Sequence, residues 1–338
     1  MNGIGLDCGN STVKLVMVSQ EGRPVWFKSS SHHGDAARAV RLLLGELLQS
    51  DPKACGFPVV LTGSAGDRLP EVCPGLSALG DVPAIHLGVR VLAPDARSGI
   101  EIGSQSARFL TGLDRDTPPP FAVNEHCAGG TGSFFEDQMS RLGLRIEDYS
   151  ALAEKAASVP RLSGRCAVFA KTDIIHRQQE GVPTPDILLG LCYAMVRNYK
   201  AVIVRSLPVE KPVALCGGVG LNAGVLRAVR DIFGLAEAEL ILPEHFLYAG
   251  AVGAALAAQE LDTCSMGELL AALCGQASNA GDRLRRRPPL EDSPQVFVSD
   301  PPSSGAVPPE GCALGNDVGY TTTAQVLTDR TAGLVELQ

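Results

Sequence analysis

Ile4-Gly5-Leu6-Asp7-Cys8-Gly9-Asn10-Ser11-Thr12-Val13-Lys14-Leu15-Val16-Met17-Val18 opens the chain. A short apolar strand runs into a Gly-polar turn, and a second apolar strand leaves it, which reads as a β-hairpin. Successive backbone N–H groups in a Gly-Asn-Ser-Thr turn can cradle a phosphate. Asp7, at the strand end, is placed to hold Mg²⁺ through its waters, because that ion dehydrates reluctantly. Lys14 would add a point charge. Taken alone, the same residues also describe an ordinary hairpin. The Walker-type loop G-x-x-x-x-G-K-[ST] is absent from the sequence, which disfavours a P-loop nucleotidase.

Two later stretches extend the reading. Ile100-Glu101-Ile102-Gly103-Ser104-Gln105-Ser106 again sets an acid before a glycine turn. Two acid–glycine hairpins on one chain suggest two phosphate loops facing each other across a cleft, and Gln105 has the chemistry to orient a water against a terminal phosphate. Cys216-Gly217-Gly218-Val219-Gly220-Leu221-Asn222-Ala223 follows the apolar strand Val213–Cys216 and leads into a helix. It formally matches the dinucleotide fingerprint G-x-G-x-x-A at Gly218, Gly220 and Ala223. The next acids, Glu237 and Glu239, precede a strand instead of ending one, so a glycine pair packed against adenosine fits at least as well.

Around these motifs the chain reads as alternating strands and helices. Helical spacing covers 35–47, 131–142, 146–157, 223–233 and 248–259, and short strands cover 58–61 and 240–242. Thr184-Pro185-Asp186 reads as a helix start, with a hydroxyl cap followed by Pro and an acid, and the helix is expected to run to about residue 206. From about residue 275 the composition shifts to Arg283-Leu284-Arg285-Arg286-Arg287-Pro288-Pro289 and Pro301-Pro302-Ser303-Ser304-Gly305, a linker in character. Gly315, Asp317, Gly319 and Thr322 then repeat Gly5, Asp7, Gly9 and Thr12 at an offset of 310 residues. The expected organisation is a first subdomain over 1–95, a second over 96–260, a linker over 275–311, and the start of a second, truncated repeat over 312–338.

Composition bounds the function. The 338 residues carry 29 Lys+Arg against 37 Asp+Glu, a formal charge of −8, which argues against a nucleic-acid or polybasic membrane surface. No run approaches the roughly 18–20 apolar residues of a membrane span, and Met1-Asn2-Gly3-Ile4-Gly5 has no basic or apolar leader, so a cytoplasmic location is expected. Ten cysteines without a C-x-x-C pair imply neither a disulfide framework nor a zinc ribbon, and most read as small buried hydrophobes.

Considered together, the three glycine elements resemble the sugar kinase/Hsp70/actin ATPase superfamily, with two phosphate loops and an adenosine loop in the expected order. More closely, residues 3–260 resemble the activator ATPases of 2-hydroxyacyl-CoA dehydratases and the ATPase subunits of benzoyl-CoA reductases. Asn124-Glu125-His126-Cys127-Ala128-Gly129-Gly130-Thr131-Gly132-Ser133-Phe134-Phe135-Glu136 and Ser163-Gly164-Arg165-Cys166-Ala167-Val168-Phe169-Ala170-Lys171-Thr172-Asp173 carry that resemblance most specifically, with Tyr248-Ala249-Gly250-Ala251-Val252-Gly253-Ala254-Ala255 adding to it.

The resemblance implies an α/β chain with an actin-like ATPase fold, two ribonuclease H-like subdomains around a nucleotide cleft. It implies ATP/ADP and Mg²⁺ as cofactors, with Asp7 and Glu101 as metal-side acids and Gln105 orienting water. Gly9, Asn10, Ser11, Thr12, Lys14, Gly103 and Ser104 would bind the phosphates, and Gly217, Gly218 and Asn222 would line the adenosine pocket. Cys127 and Cys166 would be metal ligands. Each precedes a helical run, where the macrodipole favours a thiolate. A [4Fe-4S] cluster takes four thiolates, which two copies supply across a twofold axis; on thiolate number alone, zinc would satisfy the same set. The implied partners are a second unit of the same kind (a homodimer or a tandem repeat), a 2-hydroxyacyl-CoA dehydratase or related reductase, and a ferredoxin or flavodoxin as electron donor. The implied activity is ATP-dependent delivery of a low-potential electron to that partner.

The chain departs from the family pattern at its second loop, where D-I-G-G-Q-D-S-K is replaced by Glu101-Ile102-Gly103-Ser104-Gln105-Ser106-Ala107-Arg108. That puts the rate of hydrolysis in question. Two other functions remain open on sequence: a small-molecule kinase of the same superfamily, for which no catalytic Asp is obvious between the phosphate elements, and a non-catalytic nucleotide-binding module.

Overall fold

The computed structural model describes residues 1–115, 117–124, 131–163 and 167–277, and the strands Cys312–Val318, Thr323–Asp329 and Gly333–Leu337. The chain divides into residues 1–278 and a separate unit from 279 onward.

In the larger unit, β1 (Gly3–Cys8), β2 (Thr12–Val18), β3 (Pro24–Ser31), β4 (Val59–Thr62) and β5 (Ser77–Ala78) form one sheet in the order β3-β2-β1-β4-β5. Helix α1 (Ala36–Ser50) intervenes after β3; Asp35, expected inside it, caps it by accepting from the Arg38 N–H at 2.9 Å. A short helix α2 (Leu69–Val72) and helix α3 (Asp81–Leu92) complete this half. The second sheet holds β6 (Ser98–Ile102), β7 (Ala107–Thr111), β8 (Phe121–Val123), β9 (Val213–Cys216) and β10 (Leu240–Ile241), in the order β8-β7-β6-β9-β10. The two orders are the same topology. In each sheet the first three strands are an antiparallel meander, the fourth pairs in parallel with its first strand, and the fifth pairs in parallel with the fourth. Parallel addition requires crossovers, and the helices between the strands supply them.

Helices α4 (Ser133–Arg141), α5 (Tyr149–Ala153), α6 (Ala167–Gln179), α7 (Thr184–Tyr199) and α8 (Ala223–Phe233) surround the second sheet. Its core brings Phe109, Phe134, Tyr149, Tyr199 and the α7 residues Ile187 to Val196 together. The α7 start differs from expectation. Pro183 is the cap, and the Asp186 carboxylate accepts from the Ala157 N–H at 2.8 Å and the Ser158 hydroxyl at 2.7 Å, tying α7 to the loop that follows α5. Residues 184–204 form one helix long and apolar enough to cross a membrane, contrary to the sequence reading, and it is mostly buried inside this core.

The chain does not finish in the second half. Helix α9 (Ala249–Ala257) lies on the first sheet, with Ala251, Val252 and Ala255 against Val16 and Val18. Helix α10 (Met266–Ala277) packs through Met266, Leu269 and Leu273 into the first core with Leu43, Leu44 and Leu47 of α1. The change of sheet therefore comes at Ala249, before the expected boundary at 260. Helix α3 packs against α9, and its Ile85 and Val89 face Leu110 and Ala214 of the second sheet. The pair α3–α9 thus sits between the two sheets. Their backbones meet through glycine: a Cβ on Gly253 would lie 1.7 Å from the Ala84 oxygen, and one on Gly88 would lie 1.8 Å from the Ala249 oxygen.

Most described cysteines are buried, as expected of small hydrophobes: Cys8, Cys73, Cys192, Cys216 and Cys264 are inside, and Cys55 and Cys274 are exposed. Burial pushes the Cys192 thiol up to about 12, which leaves it inert at neutral pH. Cys127 and Cys166 lie outside the described residues.

The separate unit is a three-stranded antiparallel sheet of β11 (Cys312–Val318), β12 (Thr323–Asp329) and β13 (Gly333–Leu337). Gly315 pairs with Val326 as Gly5 pairs with Val16, and Val326 with Leu337 as Val16 with Phe27. The register slips at Leu327/Thr328 as it does at Met17/Val18, again 310 residues away. The backbone of this unit repeats the opening meander, bulge included.

Gly253→Val is expected to force α3 and α9 apart and cost about 1–3 kcal/mol, read as a lowered urea midpoint at unchanged slope; Gly45→Val, on α1 where a Cβ would meet nothing within 4 Å, is expected to cost less.

Candidate active site

The first three glycine elements converge on a cleft that is open to solvent. Its floor is made by two hairpin turns of the same design. Gly9 donates its N–H to the Thr12 carbonyl at 3.0 Å, and Gly103 donates to the Ser106 carbonyl at 2.8 Å. One residue back along the strands, Cys8 pairs with Val13 and Ile102 with Ala107; one further, Asp7 pairs with Lys14 and Glu101 with Arg108. Corresponding residues are 94 positions apart throughout. The acid and the cation of each hairpin therefore stand side by side on one face of a strand pair, where opposite charges are favourable. They are ion-paired: Lys14 Nζ to Asp7 Oδ2 at 3.2 Å, and Arg108 Nη1 to Glu101 Oε2 at 2.7 Å.

The turns face each other. The Ser11 hydroxyl donates to the Ser104 hydroxyl at 2.9 Å across the cleft. Asp7, Gly9, Asn10, Ser11, Thr12, Lys14, Glu101, Gly103 and Ser104, all singled out from sequence, line it together. The adenosine residues divide. Gly217 lines the cleft; Gly218 is exposed beside it; Asn222 lies away from it as the cap of α8, accepting from the Gly224 N–H at 2.9 Å. Gln105 is exposed and does not line the cleft. Its carbonyl accepts from Asn124 Nδ2 at 3.0 Å.

Two further turns complete the walls, and each needs glycine. Gly63, at φ +87°, follows β4, and a Cβ there would lie 2.4 Å from the Cys8 oxygen. Gly217, at φ +90°, follows β9, and its Cβ would lie 2.3 Å from the Ile102 oxygen. Both conformations belong to the left-handed side that only glycine adopts without strain. Both let a parallel strand's exit pass directly over the end of the neighbouring hairpin strand, so the hairpin turns and the wall turns are built together.

Sequence reasoning missed Asp81 and Arg108. Asp81, the first residue of α3, accepts from the Gly63 N–H at 2.9 Å and the Thr62 hydroxyl at 3.2 Å through one oxygen, and from Arg108 Nη2 through the other. Five charges thus alternate across the cleft: Asp7, Lys14, Glu101, Arg108, Asp81. Burial works against the charge on Lys14, but Asp7 and then Glu101 outweigh it and its pKa rises. Arg108 behaves alike, with Glu101 and Asp81 outweighing burial. Burial pushes the Glu101 carboxyl up, against the pull of Arg108 and Lys14. Both cations stay charged at neutral pH.

The donor set suits a hard cation. Carboxylate oxygens of Asp7 and Glu101 stand beside the two hairpin turns, and Mg²⁺ bound with a polyphosphate needs only one or two carboxylates once its waters and the phosphates are counted. Among the described residues no group of three or more His, Cys, Asp or Glu is arranged to hold a metal alone.

The second hairpin turn, 103–106, also grips the segment beyond β8. Asn124 donates its N–H to the Ala107 carbonyl at 3.0 Å and accepts from the Ala107 N–H at 2.7 Å. Gly132 and Ser133 donate to the carbonyls of Gly103 and Ser104 at 2.8 and 2.7 Å. Both flanks of 125–130, the stretch containing Cys127, are fastened to residues 103–107.

Lys14→Met is expected to cost about 1–3 kcal/mol in urea unfolding, because it strands the Asp7 carboxylate; the double variant Asp7→Asn/Lys14→Met is expected to recover part of that loss.

Comparison with known proteins agrees with this geometry. The chain is 34% identical over 173 residues (51% of this chain, 65% of the relative) to the activator of lactoyl-CoA dehydratase from Anaerotignum propionicum. It is 27% identical over 261 residues (75% and 91%) to a subunit of the benzoyl-CoA reductase from Thauera aromatica. Among solved structures, the activator of 2-hydroxyisocaproyl-CoA dehydratase from Clostridium difficile with bound ADPNP superposes with a TM-score of 0.67 at 24% identity, over 82% of this chain and 98% of that one. The fold is that of the dehydratase activators. With the profile of the BadF/BadG/BcrA/BcrD ATPase family matching residues 4–258, the chain belongs to that family.

Proposed function

We propose that this protein is an ATP-driven activator that passes a low-potential electron to a 2-hydroxyacyl-CoA dehydratase or a related reductase, receiving it from a ferredoxin or flavodoxin. In this reading MgATP lies between the two hairpin turns. Asp7 and Glu101 hold the ion through its waters, the N–H groups of the 9–12 and 103–106 turns receive the phosphates, and Lys14 neutralises charge. The bound Mg²⁺ would supply charge neutralisation at the phosphates. Phosphate between the turns replaces the Ser11–Ser104 hydrogen bond, which moves one half of the molecule against the other.

Cys127 and Cys166, we further propose, supply two of the four thiolates of a [4Fe-4S] cluster, the others coming from a second unit. The observation that carries the coupling is the double attachment of residues 124 and 132–133 to the second phosphate turn. A displacement of that turn is passed to both flanks of Cys127 without an intervening element. Nucleotide state then biases a two-state arrangement around the cysteine, which is what an activator requires. The relatives named as activators support the same assignment.

A small-molecule kinase is the other use of this fold. It needs an Asp free to take the acceptor's proton. Asp81 lines the cleft with its oxygens held by Gly63 and Thr62 on one side and Arg108 on the other, and phosphorylation of a sugar panel with no need for iron would favour this second reading.

Two measurements test the reading. The five cleft charges sum to −1, so a polyphosphate is expected to bind only with a divalent cation, and chelation should abolish titration by a fluorescent ATP analogue. Protein purified without oxygen is expected to be brown, with about four iron per pair of units and a paramagnetic resonance signal after dithionite; colourless protein holding no iron, or only zinc, contradicts the electron-transfer role.

A further inference from the structure

Lys14 and Arg108 occupy the same place in their respective hairpins, yet their surroundings differ. Lys14 has one ion-pair partner, Asp7, on its own hairpin. Arg108 has two, and they come from different halves of the molecule: Glu101 on the adjacent strand, and Asp81 at the start of α3. The Ser106 hydroxyl also accepts from Arg108 Nη1 at 3.1 Å. The Arg108 side chain is only 13% exposed, and it lines the cleft between the two hairpin turns.

Its second partner is connected further. The Asp81 oxygen that does not meet Arg108 holds the Gly63 N–H and the Thr62 hydroxyl, the turn that crosses over Cys8 beside the first phosphate loop. Arg108 and Asp81 therefore form a charged tie between the second sheet and the wall turn of the first. Lys14 makes no such link.

We propose that Arg108 reads the terminal phosphate of a nucleoside triphosphate, exchanging Asp81 for that phosphate and so releasing the tie between the two halves. The proposal rests on the nucleotide reading above and adds to it the group that tells tri- from diphosphate. A planar guanidinium matches two phosphate oxygens as well as it matches a carboxylate, so the exchange costs it little geometry. Asp81 loses only one of its partners, because Gly63 and Thr62 continue to hold its other oxygen. A diphosphate that ends short of Arg108 leaves the tie intact. The serines at 104 and 106 are short and neutral, so neither competes with a phosphate for the guanidinium as a carboxylate would. Arg108 is thus a phosphate-contact and positioning residue, and Asp81 is the partner it leaves. No covalent step is involved.

The test is calorimetric titration of the full chain with ADP and with a non-hydrolysable ATP analogue, both with Mg²⁺, read as the ratio of the two affinities. The wild-type protein is expected to favour the analogue by on the order of tenfold. Arg108→Gln should bring the ratio close to one by weakening the analogue, and Arg108→Lys should fall between. Asp81→Asn, which loosens the tie without removing the guanidinium, should raise the ratio several-fold. Arg108→Gln weakening both nucleotides alike, or Asp81→Asn lowering the ratio, would overturn the proposal while leaving the nucleotide reading standing. Wild-type protein that binds neither nucleotide overturns both. Should Arg108→Gln fail to fold, Arg108→Lys and Asp81→Asn decide the matter, since each keeps a hydrogen-bonding side chain in place.

Discussion

An acid and a cation set directly across two antiparallel strands, immediately behind a glycine turn, is the contact on which the rest of this molecule depends. It occurs twice, as Asp7–Lys14 and Glu101–Arg108, in identical register. Each pair lets a carboxylate stand half-buried at a strand end without being stranded there, since an uncompensated charge in that position would cost several kcal/mol. The turns ahead of the pairs face one another, and the Ser11–Ser104 contact closes them together. From this follow the sheet order repeated in both halves, the two wall glycines that cross behind the turns, and a cleft with hard oxygen donors, fixed cations and backbone amides within one nucleotide's reach.

Much of this was legible in the residues. Glycine-polar turns flanked by apolar strands announce hairpins through local chemistry alone, so Asp7, Gly9 to Thr12, Glu101 and Gly103 were found from sequence and do share one cleft. What escaped was set by long-range geometry. Arg108 lies outside the glycine motif and is recognised only when the second hairpin is laid on the first, 94 residues earlier; the signal was present in the spacing from Lys14. Asp81 reaches the cleft because β5 and α3 deliver it there, and no local pattern around Leu79-Gly80-Asp81 marks it. Asn222 reads as a ligand contact in a glycine-rich turn, and its short amide side chain is equally suited to capping α8, the role its Oδ1 has here. The return of α9 to the first sheet was hidden because alanine and glycine bury equally well against either sheet.

The fold also explains why two rather different halves can act as one. Helices α3 and α9 lie between the sheets with backbones in close contact at Gly88 and Gly253, and the chain crosses from one half to the other through them. The N-terminal parts of both helices, Asp81 and Ile85 of α3 and Ala249 and Gly250 of α9, line the cleft as well, so the join between the halves and the charged cleft are contiguous. The repeat of the opening meander at 312–337, with its register and bulge preserved, indicates that the same building unit was used a third time in this chain. Its copy has Ala324 where the first has Lys14, so the charge pair itself is not repeated there.

The most direct measurement is a crystal structure of the protein grown with Mg²⁺ and a non-hydrolysable ATP analogue. Phosphate oxygens are expected between the 9–12 and 103–106 turns, within hydrogen-bond distance of their N–H groups, with Ser11 and Ser104 no longer touching. Nucleotide bound elsewhere on the molecule, with the Ser11–Ser104 contact intact, would contradict the central claim that the paired hairpin turns are the phosphate site.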